Sequence, residues 1–172
     1  MAAGRDESSS GVPLRSSPEG FDAFVRARLP SLLRFGRALT GSEHAGADLV
    51  QDALEVALVR WSKVAERDPE AYIRKVMVNR NISVWRKWRR EQLVERLPES
   101  GYVDREWDDT VLVALRALAP RQRAVIALRY LTDLTEAQTA EVLGCSVGTV
   151  KRQSSDAMAR LRTLLPEVEA RS

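Results

Sequence analysis

Apolar residues recur at intervals of three and four positions along most of the chain, and this spacing is typical of amphipathic helices. It predicts a first helix that begins at Phe21 and stops at Gly41, and a second helix over residues 47–61. Beyond residue 110 the same spacing predicts four shorter helices. No stretch of the sequence reads as a credible strand, so the fold class is predicted to be all-α.

The third predicted helix has a well-defined start. Asp68 supplies a capping carboxylate, Pro69 lacks an N–H group that the first turn would leave unbonded, and Glu70 places an acid near the positive end of the helix dipole. If the helix continues to Arg90, it is about 33 Å long at ~1.5 Å per residue. Between Arg74 and Arg90 it carries seven basic residues and no acid.

Composition divides the chain into two small helical domains joined by an acidic linker. The predicted boundaries are a flexible arm at 1–20, a first domain at 21–93, the linker at 94–109, a second domain at 110–166 and a C-terminal tail at 167–172. The first domain carries a net charge of +5, the linker carries −4, and the second domain together with the C-terminal tail carries +3. Two basic modules around an acidic joint indicate that each domain meets a polyanion.

A helix-turn-helix is the most informative motif of the second domain. Thr135 and Gln138 have the spacing of a capping box, Gly144 provides the backbone freedom of a helix C-terminus, and Ser146 is placed to cap the next helix. The segment is therefore predicted to form a helix, a three-residue turn and a second helix. The second helix of such a motif enters the major groove of DNA.

The exposed side of this second helix is predicted to bind duplex DNA. Basic side chains bond phosphates and guanine edges, and glutamine pairs with adenine. An ordinary helical hairpin is the alternative, but the capping box, the glycine turn and the polar second helix together favour the DNA-binding motif. The candidate DNA-binding residues are Ser146, Thr149, Lys151, Arg152, Gln153 and Ser155.

The third helix is a second candidate nucleic-acid surface. Its basic residues are interleaved with Trp85 and Trp88. Cations follow a phosphate backbone and aromatic faces stack on exposed bases, so the pattern suits partly melted or single-stranded nucleic acid. The alternative is a solvated basic helix whose tryptophans pack inside, and Asn79 suits a buried hydrogen bond as well as a base contact.

These segments resemble the extracytoplasmic-function sigma factors of bacterial RNA polymerase, most closely a sigma-E-like actinobacterial subgroup with tryptophan-rich helices. The resemblance spans about residues 21–165 and is carried, in order, by ADLVQDAL, AYIRKVMVNRNISVWRKWRR and LTEAQTAEVLGCSVGTVK. It implies that the first domain docks on core RNA polymerase and opens the minus-ten element, while the second reads the minus-thirty-five element. It implies core RNA polymerase and promoter DNA as partners, with an anti-sigma factor as a further candidate.

Matching by motif, the resemblance assigns residues to two further surfaces. The core-polymerase-binding residues are Asp48, Leu49, Gln51 and Asp52, and the minus-ten-binding residues are Arg80, Asn81, Arg86, Lys87, Trp88 and Arg90. The chain departs from the family at three positions. Ala47 stands where an acid is usual, Ser83 where an aspartate is frequent, and Asp156 where a basic residue is common.

Other function classes find less support in the sequence. His44, the only histidine, is predicted in a loop and Cys145, the only cysteine, in the helix-turn-helix turn, so no catalytic pair is predicted. No metal or cofactor is predicted, because the linker acids lack the ligand order of a calcium loop. A stand-alone helix-turn-helix regulator of duplex operator DNA is the alternative function. The absence of an apolar run of ~20 residues and of a secretory signal predicts a cytoplasmic protein without membrane insertion.

Overall fold

The computed structural model describes residues 18–91 and 109–165, and within these ranges every regular element is a helix, which confirms the all-α prediction. The elements are α1 (Phe21–Thr40), α2 (Glu43–Val59), α3 (Trp61–Val64), α4 (Pro69–Glu91), α5 (Asp109–Arg116), α6 (Pro120–Ile126), a π turn (Ala127–Leu131), α7 (Glu136–Leu143) and α8 (Val147–Leu164). The predicted arm and tail, and all of the linker except Asp109, fall mostly or wholly outside the described residues.

The second helix begins four residues earlier than its apolar spacing predicts. Ser42 accepts a hydrogen bond from the Ala45 N–H at 3.3 Å and caps α2, which therefore starts at Glu43. His44 consequently lies in the first helical turn, and the prediction of a loop there is wrong. Its Nε2 atom is 3.7 Å from a carboxylate oxygen of Asp48, one turn further along.

Helices α1 and α2 cross at two glycines, Gly36 and Gly46, which have no side chains. A Cβ atom on Gly36 would lie 2.7 Å from the carbonyl oxygen of Gly46, and one on Gly46 would lie 2.7 Å from the backbone nitrogen of Arg37. The two backbones are therefore in direct contact. This crossing fixes the position of α2 on α1.

The first half of the molecule packs α1, α2 and α4 around a common core. Phe35, Leu39 and Met77 are almost completely buried there. At one end Trp61 packs edge-on against Phe21, with the ring centroids 5.0 Å apart, and donates its indole N–H to the Glu19 carbonyl at 3.0 Å. The short helix α3 is anchored by this contact.

The helix that starts at Pro120 does not continue regularly to Leu131 as its apolar spacing predicts. It widens into the π turn, after which the Leu134 N–H bonds the Leu128 carbonyl at 3.1 Å. Asp133 adopts a left-handed conformation with φ 52° in the same turn. The wide turn redirects the chain into α7, and π geometry of this kind is rare outside functional or strained segments.

The two halves of the chain share one hydrophobic core. Helix α1 contacts α5, α6 and the π turn, and α4 contacts α6 and α7. Leu32 and Leu39 of the first half and Leu115 and Leu128 of the second half belong to the same buried cluster. The described part of the chain is thus a single packed body.

Candidate polymerase and nucleic-acid interfaces

The turn between α7 and α8 is built by the caps that the sequence predicts. Thr135 Oγ1 accepts from the Gln138 N–H at 3.2 Å, and Gln138 Oε1 accepts from the Thr135 N–H at 2.8 Å. Gly144 ends α7 in a left-handed conformation with φ 61°, and Ser146 Oγ accepts from the Thr149 N–H at 3.1 Å to start α8. Reciprocal caps of this kind satisfy backbone donors that a helix start leaves free.

A small core orients α8 within this motif. Val150 is fully buried, and it packs with Ala140 of α7 and Val125 of α6. Because residues adjacent to a buried position on a helix point away from it, Lys151 and Arg152 are directed into solvent. The side of α8 that carries Lys151 and Arg152 is therefore open to solvent.

The sequence-predicted minus-thirty-five residues fall into two groups. Ser146, Lys151, Arg152 and Ser155 are exposed, whereas Thr149 and Gln153 are half-buried beside Cys145. The exposed group contains both cations of the set, on the solvent-facing surface of α8.

Both cations on this surface have an acidic neighbour. Lys151 Nζ lies 3.8 Å from Glu136 Oε2, and Arg152 Nε lies 3.9 Å from Asp156 Oδ2. Exposed ion pairs of this length contribute little and exchange readily. Asp156, one of the three positions that depart from the pattern of the resembled family, is therefore the immediate neighbour of the strongest candidate for a base contact.

The C-terminal half of α4 is the second basic surface. Arg86, Lys87 and Arg90 are exposed, and Trp85 is half-buried. The Trp88 side chain lies outside the part of the chain that the structure describes. Three exposed cations within five residues form a positively charged surface of the kind that suits a phosphate backbone.

Two other predicted minus-ten residues are bonded to groups of the protein itself. Arg80 Nη1 lies 2.7 Å from Asp52 Oδ2, which joins α4 to α2. Asn81 is half-buried and donates from Nδ2 to the Leu39 carbonyl at 3.2 Å. The structure thus brings a predicted DNA residue and a predicted polymerase residue into direct contact.

Arg74 of the same helix serves packing. Its Nη2 atom lies 2.5 Å from Glu70 Oε1, and its Cζ atom lies 5.7 Å from the centre of the Phe35 ring. Burial lowers the pKa of Arg74, although the carboxylates of Glu70 and Asp68 oppose that effect. The basic run on α4 therefore takes part in packing at its N-terminal end and is exposed to solvent at its C-terminal end.

A basic cavity that the helix pattern does not reveal lies beside the start of α4. It has a volume of about 530 Å³, and its lining contains three cations and two acids together with Val64 and Tyr72: Arg60, Lys63, Arg67, Glu66 and Asp68. Three cations within eight residues between two helices are the sequence signal that could have identified it. The cavity combines positive charge with an aromatic side chain.

The predicted polymerase-docking residues are on α2. Asp48, Gln51 and Asp52 are exposed, but Leu49 is only 7% exposed and belongs to the core. Next to them an apolar groove of about 300 Å³ runs between α1 and α2, and Gln51 and Glu55 form its polar rim. The exposed surface of α2 is thus acidic beside an apolar groove.

Among the described residues no group of three or more histidine, cysteine, aspartate or glutamate side chains could hold a metal ion. No described helix has the length and apolar character needed to cross a bilayer.

Two family models match the chain. The model for sigma-70, region 4 matches residues 114–163, and the model for the Sigma2 domain of PhyR matches residues 25–74. The first match covers the helix-turn-helix. The second covers α1 to the start of α4, including the docking helix.

Relatives and solved structures agree with these matches. The chain is 38% identical over 148 residues to the RNA polymerase sigma-E factor of Streptomyces coelicolor, an alignment that covers 83% of this chain and 84% of that protein. It is 38% identical over 157 residues to the sigma-E factor of Streptomyces avermitilis, covering 88% and 86%. The sigma factor RpoE from Bartonella quintana, solved in complex with the anti-sigma factor NepR, superposes with a TM-score of 0.70 at 26% identity over 87% of this chain and 98% of that chain. The chain therefore belongs to the extracytoplasmic-function sigma factors, in the group that contains the Streptomyces sigma-E factors, and it directs RNA polymerase in transcription initiation.

Proposed function

We propose that the two halves of the chain divide promoter recognition between them. The first half docks on core RNA polymerase and handles the minus-ten strand, and the second half reads the minus-thirty-five duplex. The observation that carries this division is the outward-facing polar side of α8, which stands on a capped helix-turn-helix while α4 presents a separate basic surface.

Docking uses α2. Its exposed acids Asp48 and Asp52 supply charge that attracts a basic partner surface, and the adjoining apolar groove supplies area that a partner helix can bury. Gln51 lies on the rim where the two features meet. Leu49 stabilises α2 from inside and takes no part in the contact.

The minus-ten strand follows α4. Arg86, Lys87 and Arg90 attract phosphates at one end of the helix, and the cavity around Tyr72 accepts an unstacked base at the other. Residues 72 and 90 are about 27 Å apart along the helix at ~1.5 Å per residue. That span suits several nucleotides of an extended single strand. Trp88 stays a predicted stacking residue.

The minus-thirty-five duplex receives α8 in its major groove. Arg152 bonds a guanine edge, and Lys151 and Ser155 bond phosphates or base edges on either side. To bond DNA, Lys151 must release Glu136 and Arg152 must release Asp156, or each cation must stay partly paired with its acid. Ion pairs near the protein surface are weak, so breaking them costs little free energy.

The remaining assignments follow from this role. The protein acts in the cytoplasm because its polymerase partner works there, and it contributes binding and positioning without catalysis. The Bartonella quintana relative is bound by an anti-sigma factor in its structure. We extend a partner of that kind to this chain, where it would compete with core polymerase.

Reconstituted transcription tests the proposal. Core RNA polymerase from an actinobacterium is incubated with the full chain and a library of promoter fragments. Transcripts from a defined subset, with permanganate-reactive thymines near minus ten, are expected. Binding of the chain alone to duplex operators as a dimer, without stable binding to core polymerase, would instead support a stand-alone regulator.

A further inference from the structure

The first turn of α8 contains two exposed residues to which the helix-turn-helix motif assigns no role, Val147 and Gly148. Within α8, all of which the structure describes, the exposed large apolar side chains are Val147, at 39%, and Leu164 in the last turn. The side chains that follow Val147 and Gly148 on the same face are Lys151 and Arg152. An apolar step therefore precedes the cations on the exposed side of the helix.

Packing within the described part of the chain does not account for Gly148. Glycine destabilises a helix relative to alanine, because the unfolded chain has more conformational freedom at a glycine. At Gly36 the fold requires that cost, since a Cβ atom there would lie 2.7 Å from the Gly46 carbonyl oxygen. A Cβ atom on Gly148 would meet only Ser146 Oγ, at 3.8 Å, which is an ordinary van der Waals distance. Gly148 also lacks the positive φ that Gly144 adopts, at 61°.

The open space above Gly148 lies on the side of α8 that carries Lys151 and Arg152. An α-helix with its side chains is about 10–12 Å wide, and the major groove is about 12 Å wide. A recognition helix therefore fills the groove, and its N-terminal residues are the ones that contact base edges. Glycine is the residue that lets a backbone approach a ligand closely.

The valine beside this glycine indicates which base edge it suits. In the major groove the C5-methyl group of thymine is apolar, whereas the other groups of the base edges donate or accept hydrogen bonds. A valine that covers one of those polar groups leaves it without a hydrogen bond, which is unfavourable. A valine that covers a methyl group buries apolar surface, and one buried methyl group raises a binding constant about fourfold.

We propose that Val147 and Gly148 form an apolar contact with the minus-thirty-five duplex, in which Gly148 lets a base edge approach the backbone of α8 and Val147 packs on the methyl group of a thymine. The inference rests on the proposed function, because it requires α8 to lie in the major groove. It adds recognition of thymine to the hydrogen bonds assigned to Arg152. The contact involves no charge, so its loss is expected to leave the salt slope of binding unchanged.

Gly148→Ala separates a role in DNA binding from a role in the fold. The full chain is assembled with core RNA polymerase, and binding is measured to a promoter fragment that the parent selects from a library. The variant is expected to lower this affinity about tenfold, because the added methyl group meets the base edge. The thermal midpoint of the free chain is expected to stay the same or to rise. A lower midpoint, or an unchanged affinity, would overturn the close approach of DNA to Gly148.

Deoxyuridine tests the contact of Val147, because it lacks the C5-methyl group of thymidine and keeps every hydrogen-bonding group. Each thymine of the minus-thirty-five element is replaced in turn. With the parent, one replacement is expected to lower the affinity about fourfold, whereas with Val147→Ala the same replacement is expected to have no effect. Val113→Ala is the matched control, since it removes a valine of α5 that is 61% exposed, and it is expected to respond as the parent does.

The outcomes separate the contact from the proposed function. A parent that responds to no deoxyuridine replacement, or a Val147→Ala variant that responds as the parent does, would overturn the thymine contact. If the parent selects promoters and both variants bind them with the parent's affinity, the apolar contact is overturned and the proposed function stands. If the parent selects no promoter at all, the proposed function is overturned, and the apolar contact with it.

Discussion

At the scale of single residues, one ion pair joins two surfaces that sequence motifs assign separately. Asp52 is predicted to bind polymerase and Arg80 to bind DNA, yet their side chains are 2.7 Å apart. Both are about half exposed, so the pair adds little to stability. The pair matters for assembly, because Asp52 is predicted to meet core polymerase and Arg80 to meet promoter DNA.

Replacing each member of this pair distinguishes a direct contact from an indirect one. If Asp52 contacts the polymerase, Asp52→Asn weakens binding to core enzyme by about tenfold, or ~1.4 kcal/mol. Arg80→Gln frees Asp52 and is expected to keep or strengthen that binding. Fluorescence anisotropy with labelled chain measures both. Equal weakening by the two variants would show that Asp52 acts only by holding Arg80.

The recognition helix gives a second residue-scale prediction. Arg152→Ala is expected to cost about 1–3 kcal/mol and to relax preference at one or two positions of the minus-thirty-five element. Lys151→Ala, the matched loss of a cation, is expected to weaken all sequences alike and to reduce the salt slope by about one unit. A binding selection over a promoter library measures both.

Asp156, as the acidic neighbour of Arg152, gives a further prediction about DNA recognition. Asp156→Asn keeps the shape of the side chain but removes the charge 3.9 Å from Arg152. If the carboxylate repels the backbone, this variant strengthens binding to every promoter. Unchanged preferences and affinity in both Arg152→Ala and Asp156→Asn would show that another face of α8 lies on the DNA.

At the scale of elements, the crossing of α1 and α2 rests on two glycines. Gly36→Ala places a methyl group 2.7 Å from the Gly46 carbonyl oxygen, so the helices must move apart. The free energy of unfolding is expected to fall by about 1–3 kcal/mol. Urea denaturation followed by circular dichroism measures the change.

A glycine elsewhere in a helix is the control. Gly148→Ala in α8 meets no atom closer than 3.8 Å. Because alanine favours a helix over glycine, this change is expected to leave stability unchanged or to raise it by up to ~1 kcal/mol. Similar losses for the two variants would remove the crossing as the cause.

At the scale of the whole molecule, the shared core predicts cooperative unfolding. All four tryptophans, at positions 61, 85, 88 and 107, precede the second half, so their fluorescence reports on the first half and the linker. Circular dichroism reports helix throughout the chain. The two signals are expected to give the same urea midpoint, because Leu32 and Leu128 lie in one buried cluster.

Loss of the hydrogen bond from Arg116 to the Gly41 carbonyl is expected to separate the two signals. In Arg116→Ala the second half is held less firmly, and circular dichroism should change before tryptophan fluorescence does. Two distinct midpoints in the parent chain would instead mean that the halves unfold independently. That result would contradict a single cooperative core.

The sequence by itself determined the features that depend on neighbouring residues. Helical spacing, the capping box at Thr135 and Gln138 and the left-handed stop at Gly144 are local, since each depends on side chains and backbone groups a few positions apart. The family, the helix-turn-helix and the basic face of α4 follow from such patterns. Where a cap is missed, as at Ser42, the predicted start of the helix is wrong by a few residues.

Tertiary structure decided what depends on residues that are distant in the chain. No spacing rule indicates that Arg80 meets Asp52, or that the cations at 60, 63 and 67 line one cavity. The hydrogen bond from Arg116 to the Gly41 carbonyl is a contact of the same kind, because it joins residues 75 positions apart. Such contacts arise from how whole helices pack, and the energy of that packing is shared among side chains that are not neighbours in sequence.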